Sequence, residues 1–503
     1  MAKPPYLLSL LHLIILPFIA HSLTSPPPTV CIVGSGISGA SVSHFLRKYS
    51  DKSPITVGNI RIFERNAVVG GRMATLTIAG DTFEAGASII HPKNYHTSNF
   101  TSYLKLKKRF GISDGSDGGD GYDDDGDSLG FWNGEKFVFK TMRLDSRFRI
   151  VNKAISLVNQ AKIFWRYGVS LFKMQAFVEH TLSNFLKYYE SHDTRPVFHR
   201  AEEMLKWSGL YDPTTRTLEE ELVDAGLSPL LINELVTVIT RINYGQSTRM
   251  SGLAGGVSLA GSGGGLWAVV GGNWQMAAGL INNSDVELHL NEEIQSVTRV
   301  GTHYELSSSK GNNYICQVTV FATPLDELDV KFDPPISVPE RKMQHTYTTF
   351  IKGLLNPAYF GLRKVAEIPD LVGTLENPDI PFSCISVLKR HKGGDITYKM
   401  FSRKPLDDTL LDQIFRTRKE TIRINWAAYP HYKPPEAFAP FILDEQHLYY
   451  VNAFESAASA METGAVSAEN IARLILSRLS NKVDLMTSIF EVGSVLTDPH
   501  SDL

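Results

Sequence analysis

The residues best placed to do chemistry near the start of the chain are Gly34, Gly36 and Gly39, which form the pattern G-x-G-x-x-G. An apolar run at 30–33 precedes them and is typical of a buried parallel strand, and the residues after Gly39 are typical of a helix. In such a turn the first glycine makes the bend, the second lets the backbone approach a pyrophosphate, and the third lets the helix pack on the strand. The N–H groups at the start of the helix would bind the phosphates. The contacts predicted for this turn are Gly34, Ser35, Gly36, Ser38 and Gly39.

A carboxylate stands at the end of the next predicted strand. The run 59–63 leads into Glu64, and an acid at that point accepts the two hydroxyls of an adenosine ribose and repels a 2′-phosphate. The ligand is therefore predicted to be FAD or NAD rather than NADP. Glu64 lies further from the glycines than the usual ~20 residues, and the polar, proline-containing insert 49–56 accounts for the extra length. The alternative is a glycine turn in an unrelated α/β protein, which the combination of strand, turn, helix and acid disfavours.

A glycine pair and an arginine follow this acid. Gly70 and Gly71 would let the backbone pass close to a bound dinucleotide, and Arg72 can hold a phosphate by charge-assisted hydrogen bonds. Taken alone, these residues would indicate only a turn with a surface arginine. Further along, residues 84–88 form a small-residue bend after a strand, where the backbone could lie along a flat ring. The contacts predicted in these two segments are Arg65, Gly70, Gly71, Arg72, Gly86, Ala87 and Ser88.

Length and composition describe an ordinary globular protein. The chain has 503 residues, of which 43% are hydrophobic and 20% charged, and this length is comfortable for two interleaved domains with a large core. The net charge near −3, without a concentrated basic face, argues against a nucleic-acid partner.

The chain has three cysteines. Cys31 lies within the first predicted strand and is expected to be an inert core thiol. Cys316 and Cys384 could pair, but their spacing does not decide it. Since no CxxC or other metal-ligand spacing occurs, no metal site is predicted.

The N-terminus has the features of a secretory signal peptide over residues 1–22. Lys3 precedes an apolar run at 6–20, and small residues follow it. Because the run is shorter than the ~20 residues of a membrane span and contains Pro17, a cleaved signal is favoured over an uncleaved anchor. Two N-x-S/T triplets then become possible glycan acceptors. These acceptors are Asn99 and Asn282.

Residues 113–128 are rich in aspartate and glycine. One-signed charge with low hydrophobicity predicts a flexible, solvated loop. Calcium binding is the alternative, but the positions do not fit an EF-hand loop and no closing glutamate follows.

Two helical tracts lie between the segments assigned to the dinucleotide site. Residues 152–189 have apolar positions at three- and four-residue intervals, and residues 201–244 continue the pattern with a break at 212–213. They are predicted to form a substrate domain inserted into the dinucleotide-binding domain. Their aromatic faces could border a lipid tunnel or a membrane, although core packing accounts for most of them.

In their order and spacing, the motifs above resemble the FAD-binding half of the amine-oxidase and phytoene-desaturase superfamily. Further matches occur at 290–294, at 320–324 and at 461–472. The resemblance implies that Ile294 contacts the adenine through its backbone. It also implies that the helix after Glu462, capped by Thr463, stabilises negative charge on the reduced flavin.

Two departures bear on the cofactor. Residues 452–455 stand where relatives often carry a glycine–acid pair, which leaves the role of Glu455 at the ribityl chain open. No C-terminal cysteine stands where covalent amine oxidases attach their flavin. The resemblance therefore implies noncovalent FAD.

Two segments narrow the family, residues 241–247 and the glycine-rich runs that follow them. Residues 241–247, 255–261 and 264–273 resemble the prenylcysteine oxidases, most of all their plant farnesylcysteine lyase branch. The glycine density implies close backbone approach to the isoalloxazine, beside Trp267 and Trp274. A flexible loop is the alternative, which the alternating apolar residues disfavour. The substrate and flavin face would consist of Tyr244, Trp267, Gly271, Gly272 and Asn273.

The resemblance implies an α/β fold in which a Rossmann-like FAD-binding domain is interleaved with a mixed α+β substrate domain. The FAD-binding domain would be discontinuous, and the substrate domain would occupy the two intervals. The predicted boundaries are 29–112, 252–330 and 440–480 for the FAD-binding domain, and 129–251 and 331–439 for the substrate domain.

The resemblance implies oxidative cleavage of a thioether. A hydride would pass from the prenyl carbon next to sulfur to the flavin, water would trap the cation, and a prenyl aldehyde, free cysteine and hydrogen peroxide would result. Sulfur and the allylic system both stabilise that cation, so no strong base is required and no catalytic residue is predicted. The flavin supplies the difficult step and the protein positions it.

The prenyl tail should dominate recognition. At ~0.8 kcal/mol per buried carbon, a farnesyl group is worth on the order of 10 kcal/mol before ordering costs. A long apolar cavity is therefore predicted, lined from residues 152–189 and 343–401.

Two alternatives remain open at this stage. One is a noncovalent amine oxidase or carotenoid-type oxidase, and the other is a flavin-free protein like the GDP-dissociation inhibitors, which bind prenylated GTPases. The signal peptide disfavours the second. The expected partners are a prenylcysteine substrate and a peripheral membrane contact, with no obligate protein partner. The expected location is the secretory pathway, with lysosome or vacuole implied by resemblance alone.

Overall fold

The computed structural model describes residues 26–50, 56–110, 128–143, 148–190 and 194–495, with side chains described except at 149 and 481–495. The predicted signal peptide and almost all of the predicted acidic loop lie outside these ranges. Within them the predicted fold class is confirmed, because a parallel sheet with flanking helices is joined to a mixed helical and antiparallel part.

Helices cover both halves of the fold. A π-helical turn, Ile232–Val236, joins the seventh helix to the eighth. The helices are α1 (Ile37–Ser50), α2 (Tyr95–Tyr103), α3 (Arg149–Tyr167), α4 (Ser170–Leu186), α5 (Ala201–Ser208), α6 (Leu218–Asp224), α7 (Pro229–Leu231), α8 (Thr237–Tyr244), α9 (Gly252–Ala260), α10 (Trp274–Asn282), α11 (Asp408–Ile414) and α12 (Met461–Val495).

Within the described ranges the strands form two principal sheets and three smaller ones. They are β1 (Val30–Val33), β2 (Ile60–Glu64), β3 (Thr75–Ile78), β4 (Asp81–Glu84), β5 (Lys108–Phe110), β6 (Leu129–Trp132), β7 (Phe137–Lys140), β8 (Trp267–Val269), β9 (Val286–Leu290), β10 (Ile294–Val300), β11 (His303–Ser308), β12 (Asn313–Cys316), β13 (Val318–Phe321), β14 (Lys331–Asp333), β15 (Met343–Leu355), β16 (Leu371–Thr374), β17 (Cys384–Arg390), β18 (Ile396–Ser402), β19 (Phe415–Pro430) and β20 (Leu448–Tyr450).

The first principal sheet is parallel and has the order β20-β13-β1-β2-β9. Val30 of β1 stands opposite Ile60 of β2 and Val318 of β13. All four residues of β1 are buried, which is why the strand is apolar throughout rather than alternating. Helices α1, α10 and α12 pack around this sheet and complete the dinucleotide-binding layer.

The second principal sheet has the order β19-β15-β18-β17-β16-β6-β7. Its longest pairing joins β15 and β19 in antiparallel register from Met343 opposite Pro430 to Leu355 opposite Phe415. Helix α8 packs against β16, and α9 packs against α4, α6 and α8. The sheet and these helices form the second half of the molecule.

The predicted helical tracts are confirmed. The first becomes the hairpin α3–α4, which bends at Gly168 with φ +56°, a left-handed backbone value that favours glycine. The second is interrupted after α5, which ends at Ser208 before the predicted break. None of the helices in the described ranges is long and apolar enough to cross a membrane.

The prediction that Cys31 is an inert core thiol was wrong, and Cys316 and Cys384, whose pairing the sequence left open, are not joined. Cys31 is bonded to Cys316, with 5.9 Å between their Cα atoms, and Cys384 is free and buried. The reason is topological, since Cys316 ends β12 immediately before β13, the strand that pairs with β1. Cys384 begins β17 in the other principal sheet, where burial raises the pKa of its thiol to about 12.

Candidate active site

A cavity of about 550 Å³ lies between the two principal sheets. It opens at the carboxyl ends of β1, β2, β9, β13 and β20, and its opposite side is formed by residues of β15, β18 and β19. Cofactor and small-molecule sites typically have volumes of about 300–1,000 Å³, and in parallel sheets they lie beyond the carboxyl ends of the strands.

The glycine turn after β1 borders this cavity. A Cβ placed on Gly39 would lie 2.0 Å from the carbonyl oxygen of Gly34, so only glycine lets α1 pack this closely on the strand. A Cβ on Gly36 would instead meet only the carbonyl oxygen of Gly70, at 3.7 Å, and Gly36 lines the cavity. Protein packing therefore explains Gly39, whereas the space at Gly36 suits close approach of a ligand.

The carboxylate of Glu64 is held firmly at the end of β2. One oxygen accepts hydrogen bonds from the backbone N–H and the hydroxyl of Ser35, at 3.2 and 2.6 Å. The other accepts from the backbone N–H and side-chain amide of Asn66, at 2.9 and 2.7 Å. A carboxylate has about four acceptor positions, so Ser35 and Asn66 together fill those of Glu64 in this structure. Glu64 lines the cavity, and a ribose hydroxyl would take the place of one of these donors, most simply the Ser35 hydroxyl, which can rotate.

Arg72 is engaged by the protein rather than standing free for a phosphate. Its guanidinium donates to the carbonyl oxygen of Ala428 at 2.7 Å and lies 2.6 Å from a carboxylate oxygen of Glu455. Burial disfavours the charged form of Glu455, but the charges of Arg72 and Arg341 outweigh it and lower the pKa of this carboxyl. Glu455 is therefore anionic in the cavity wall and fixes Arg72.

Arg341 extends this ion network away from the cavity. It lies 2.6 Å from a carboxylate oxygen of Asp326 and 3.6 Å from one of Glu455, and it donates to the hydroxyl of Tyr450 at 3.2 Å. Its position ties the start of β15 to the carboxyl end of β20. The network thus joins the two halves of the molecule beside the cavity.

The side of the cavity opposite the glycine turn carries aromatic and aliphatic side chains beside polar ones such as His345 and Asn425. Trp426 and Tyr429 come from β19, Phe401 comes from β18, and Ile242 comes from α8. The indole N–H of Trp426 donates to the carbonyl oxygen of Ala85 at 2.9 Å, which holds β19 against the bend after β4. The ring of Tyr429 meets that of Tyr244 edge-on, with 4.6 Å between centroids.

Most of the predicted cofactor contacts are brought together in the cavity lining, and their roles stay predictions. Those in the lining are Gly34, Ser35, Gly36, Ser38, Glu64, Arg65, Gly70, Gly71, Arg72, Gly86, Ala87, Ile294 and Thr463.

Three predicted contacts lie outside the lining. Gly39 has the packing role described above. The hydroxyl of Ser88 donates to the carbonyl oxygen of Gly86 at 2.8 Å and lies 3.0 Å from the ammonium of Lys399. The carboxylate of Glu462 accepts from two N–H groups in the first turn of α2, those of His96 and Thr97, so it caps that helix.

The residues predicted to form the substrate and flavin face, Tyr244, Trp267, Gly271, Gly272 and Asn273, are not part of the lining. Tyr244 lies behind Tyr429, and its hydroxyl donates to the carbonyl oxygen of Ser459 at 2.8 Å. The side-chain amide of Asn273 donates to the carbonyl oxygen of Ala87 at 2.9 Å, so Asn273 supports the bend that does line the cavity.

The glycine run 255–261 belongs mainly to α9 and packs against other helices. A Cβ on Gly255 would lie 2.5 Å from the buried side chain of Leu218, and one on Gly256 would lie 3.2 Å from Thr181. Close helix packing, rather than a flat ring, accounts for these two glycines. Sequence alone does not distinguish these two causes of glycine enrichment.

The predicted origin of the apolar cavity wall was half right. Residues 343–401 contribute His345, Thr346, Thr348 and Phe401, whereas no residue of 152–189 lines the cavity. Hairpin α3–α4 lies outside α9 instead. Residues of β19 were missed, although the alternation of polar and apolar residues at 421–426 is typical of a half-buried strand and was a signal for it.

The residues present fit a flavin dinucleotide. The backbone at Gly36 leaves room for close approach, Glu64 presents an oriented carboxylate, and the start of α1 brings N–H groups that a helix cannot satisfy internally. Fold and site together define a flavin-dependent oxidoreductase.

Known structures share this fold. A putrescine oxidase matches over 90% of this chain and 99% of its own, with a TM-score of 0.57 and 12% identity. Cyclohexylamine oxidase from Brevibacterium oxydans matches over 90% of this chain and 100% of its own, with a TM-score of 0.56 and 15% identity. At these identities the likeness concerns the fold alone.

Sequence comparison defines the family. The family model described as prenylcysteine lyase matches residues 150–487, and that of an NAD(P)-binding Rossmann-like domain matches residues 32–104. The chain is 58% identical to farnesylcysteine lyase of Arabidopsis thaliana, over 95% of this chain and 93% of that protein. It is 34% identical to human prenylcysteine oxidase 1, over 92% of each chain. The chain belongs to the prenylcysteine lyase family.

Proposed function

We propose that this protein is an FAD-dependent oxidase that cleaves the thioether of prenylcysteine, with farnesylcysteine as substrate, during degradation of prenylated proteins. The observation that carries the proposal is the two-sided cavity in a member of this family. One side has the glycine turn and the Glu64 carboxylate suited to a dinucleotide, and the other has the apolar and aromatic side chains of β18, β19 and α8.

The proposed reaction consumes O2 and water along with the prenylcysteine. The carbon–sulfur bond of the prenyl carbon breaks, that carbon is oxidised to an aldehyde whose oxygen comes from water, and sulfur leaves as the thiol of cysteine. Bound FAD supplies the two-electron acceptor, and O2 takes up the electrons to give hydrogen peroxide. The products from farnesylcysteine are farnesal, free cysteine and hydrogen peroxide.

The contribution of this chain is positioning. Ile242, Phe401 and Tyr429 offer apolar surface for the prenyl tail, whose transfer from water is worth on the order of 10 kcal/mol for a farnesyl group before ordering costs. The cation formed at the reacting carbon is stabilised by its own sulfur and double bond. We therefore assign no general base, and we expect orientation and exclusion of bulk water to be the main roles of the wall.

We propose that FAD is held without a covalent bond. The residues that would hold it are the cavity-lining ones around Gly36, Glu64 and Gly71, together with the backbone at Ile294 and the first turn of α12. That turn begins at Met461, so Thr463 is its third residue rather than its cap, and its hydroxyl bonds the backbone of Ala460. The position of the cysteines supports this, because Cys31 and Cys316 are joined to each other and Cys384 does not line the cavity. Release of FAD into the supernatant on acid or heat denaturation tests the point.

We further propose that the protein enters the secretory pathway and acts in a lysosome or vacuole. The apolar N-terminal run, the disulfide and the exposed side chains of Asn99 and Asn282 support this location, since disulfides persist in oxidising compartments. Loss of mass on treatment with an N-glycosidase, for the wild type but not for Asn99→Gln with Asn282→Gln, is the expected result. An unglycosylated protein confined to the cytosol would contradict it.

The substrate proposal is tested by product analysis. The purified full chain is supplied with farnesylcysteine, with geranylgeranylcysteine and, separately, with putrescine and spermidine. We expect farnesal, cysteine and peroxide in equal amounts from farnesylcysteine and no peroxide from the amines. Peroxide from the amines alone would replace the proposal with an amine oxidase, which the fold also accommodates.

A further inference from the structure

The outer face of helix α3 carries a stripe of apolar side chains that are exposed. Exposed fractions reach 83% at Ile150, 66% at Leu157 and 92% at Trp165. These residues recur at intervals of seven and eight, which places them on one side of a helix. The members of this group, called the α3 stripe below, are Ile150, Val151, Leu157, Val158, Phe164 and Trp165.

The opposite face of α3 is the one that packs on the protein. Tyr167 is buried, and its hydroxyl donates to the carboxylate of Glu234 at 2.8 Å. Arg166 donates to both oxygens of the same carboxylate, each at 2.6 Å. The core contacts of α3 are thus already made, and the stripe is a second apolar face on the same helix.

The apolar surface continues around the hairpin turn. Val169 and Phe172 are exposed, at 65% and 63%, and the ring of Phe172 meets that of Phe164 with 6.1 Å between centroids. Trp165 stands beside this pair. Large contiguous apolar patches on a folded protein mark surfaces that bind a partner or a membrane.

The charged residues in the sequence of the hairpin all have one sign. Residues 148–178 contain five cationic side chains and no acidic one, although the charge of Arg166 is balanced by Glu234. By helical spacing, Lys153 and Lys162 border the α3 stripe on opposite sides, and both are exposed. This pattern favours an anionic surface over a second copy of the chain, since two copies would bring like charges together.

We propose that the α3 stripe and the hairpin turn dock on an anionic lipid bilayer. Helix α3 has 19 residues and is therefore about 28 Å long, and it would lie in the plane of the interface with its apolar side chains among the acyl chains. Helix α4 packs on α9, and α9 packs on α8, which carries Ile242 into the cavity. Docking here places the hairpin α3–α4, then α9 and then α8 between the bilayer and the cavity.

The test is cosedimentation of the purified full chain with vesicles of phosphatidylcholine alone or mixed with phosphatidylserine. The test variant is Trp165→Ser with Phe172→Ser. The control variant is Val300→Ser with Ile315→Ser, which removes two exposed apolar side chains from β10 and β12. We expect the wild type and the control to bind the mixed vesicles equally, and the test variant to bind at least about tenfold more weakly.

A second variant tests the charge. Lys153→Gln with Lys162→Gln should weaken binding to the mixed vesicles by about fivefold per lysine and leave binding to phosphatidylcholine alone unchanged. Equal binding by all variants would overturn the proposal. So would a concentration-dependent dimer that Trp165→Ser with Phe172→Ser abolishes while vesicles remain unbound, because the stripe would then be an interface between copies.

This proposal stands apart from the enzymatic one. Turnover of farnesylcysteine in detergent solution should be the same for the wild type and for Trp165→Ser with Phe172→Ser, because neither residue lines the cavity. Vesicle binding without turnover would contradict the proposed reaction alone. Turnover without vesicle binding would contradict the docking surface alone.

Discussion

At the scale of single residues, Glu64 is the side chain on which cofactor choice depends most. Its two oxygens are held by Ser35 and Asn66, so the carboxylate is oriented before any ligand binds. Hydrogen bonds to a charged group contribute about 1.5–3 kcal/mol. The first prediction follows from that figure.

Glu64→Gln should weaken FAD binding by about 10- to 100-fold, because the amide replaces an ionic acceptor with a neutral one. Titration of the apoprotein with FAD, followed by flavin fluorescence, measures the effect. Glu287→Gln is the matched control, since Glu287 lies on the adjacent strand β9, outside the cavity, and binds Arg61. An unchanged affinity of Glu64→Gln for FAD would show that this residue does not bind the ribose.

A second residue-scale prediction concerns Glu436. Burial raises the pKa of its carboxyl to about 7, against about 4.3 in an unfolded chain. Between these values the folded state binds the proton and the unfolded state does not. The contribution of Glu436 to stability therefore falls as pH rises through this window.

Glu436→Gln should consequently gain in melting temperature relative to the wild type as pH is raised from about 5 to about 8. The measurement is thermal unfolding of both proteins at each pH. Glu135→Gln serves as control because Glu135 is exposed, and it should follow the wild type at both values. A difference in melting temperature between Glu436→Gln and the wild type that does not vary with pH would contradict the prediction.

At the scale of elements, the unit β1–turn–α1 was predictable because its determinants are local. A strand, a glycine turn and a helix follow one another within about twenty residues, and Gly39 packs α1 on the strand as expected. The residues of β19 were not predictable in the same way. Which of its side chains face the cavity depends on a long antiparallel register with β15, some seventy residues earlier in the chain.

Gly39→Ala tests the packing of this unit. The added methyl group would overlap the carbonyl oxygen of Gly34, which is backbone and cannot rotate away, so α1 must shift. Overpacking of this kind costs about 1–3 kcal/mol, and the shift should also weaken FAD binding. Gly393→Ala is the control, because a Cβ there meets no atom within 4 Å. Equal melting temperatures for the two variants would show that α1 accommodates the added methyl group without loss of stability, and would contradict the prediction.

The disulfide is an element-scale feature that sequence did not identify. Which cysteine meets Cys31 depends on β13 returning beside β1, and that pairing brings together residues 285 positions apart. A cross-link over a long loop typically stabilises a protein by about 2–5 kcal/mol. Cys384 lies in the other sheet and takes no part.

Cys31→Ala with Cys316→Ala should therefore melt at a lower temperature than the wild type. Reductant should lower the melting temperature of the wild type towards that of the variant. It should leave the melting temperature of the variant unchanged, which serves as the internal control. Titration of thiols in the unfolded, unreduced wild type should give one free thiol per chain. Three free thiols would contradict the bond.

At the scale of the whole molecule, the fold class could be predicted and the placement of the helical hairpin could not. The motifs of the dinucleotide site recur in a fixed order, so their resemblance to a superfamily carries the topology with it. The amphipathic pattern of α3 and α4, by contrast, does not reveal which partner covers each apolar face. The hairpin was expected at the cavity and lies on the outside, with the α3 stripe exposed.

The central claim is that this cavity binds FAD and presents it to a prenyl thioether. The most direct measurement is the absorption spectrum of the purified full chain, recorded before and after farnesylcysteine is added without oxygen. The account predicts a yellow protein whose flavin absorption is bleached by farnesylcysteine, is unchanged by cysteine, and returns when air is admitted. A colourless protein that cannot take up FAD, or a flavin absorption that farnesylcysteine leaves unchanged, would contradict it.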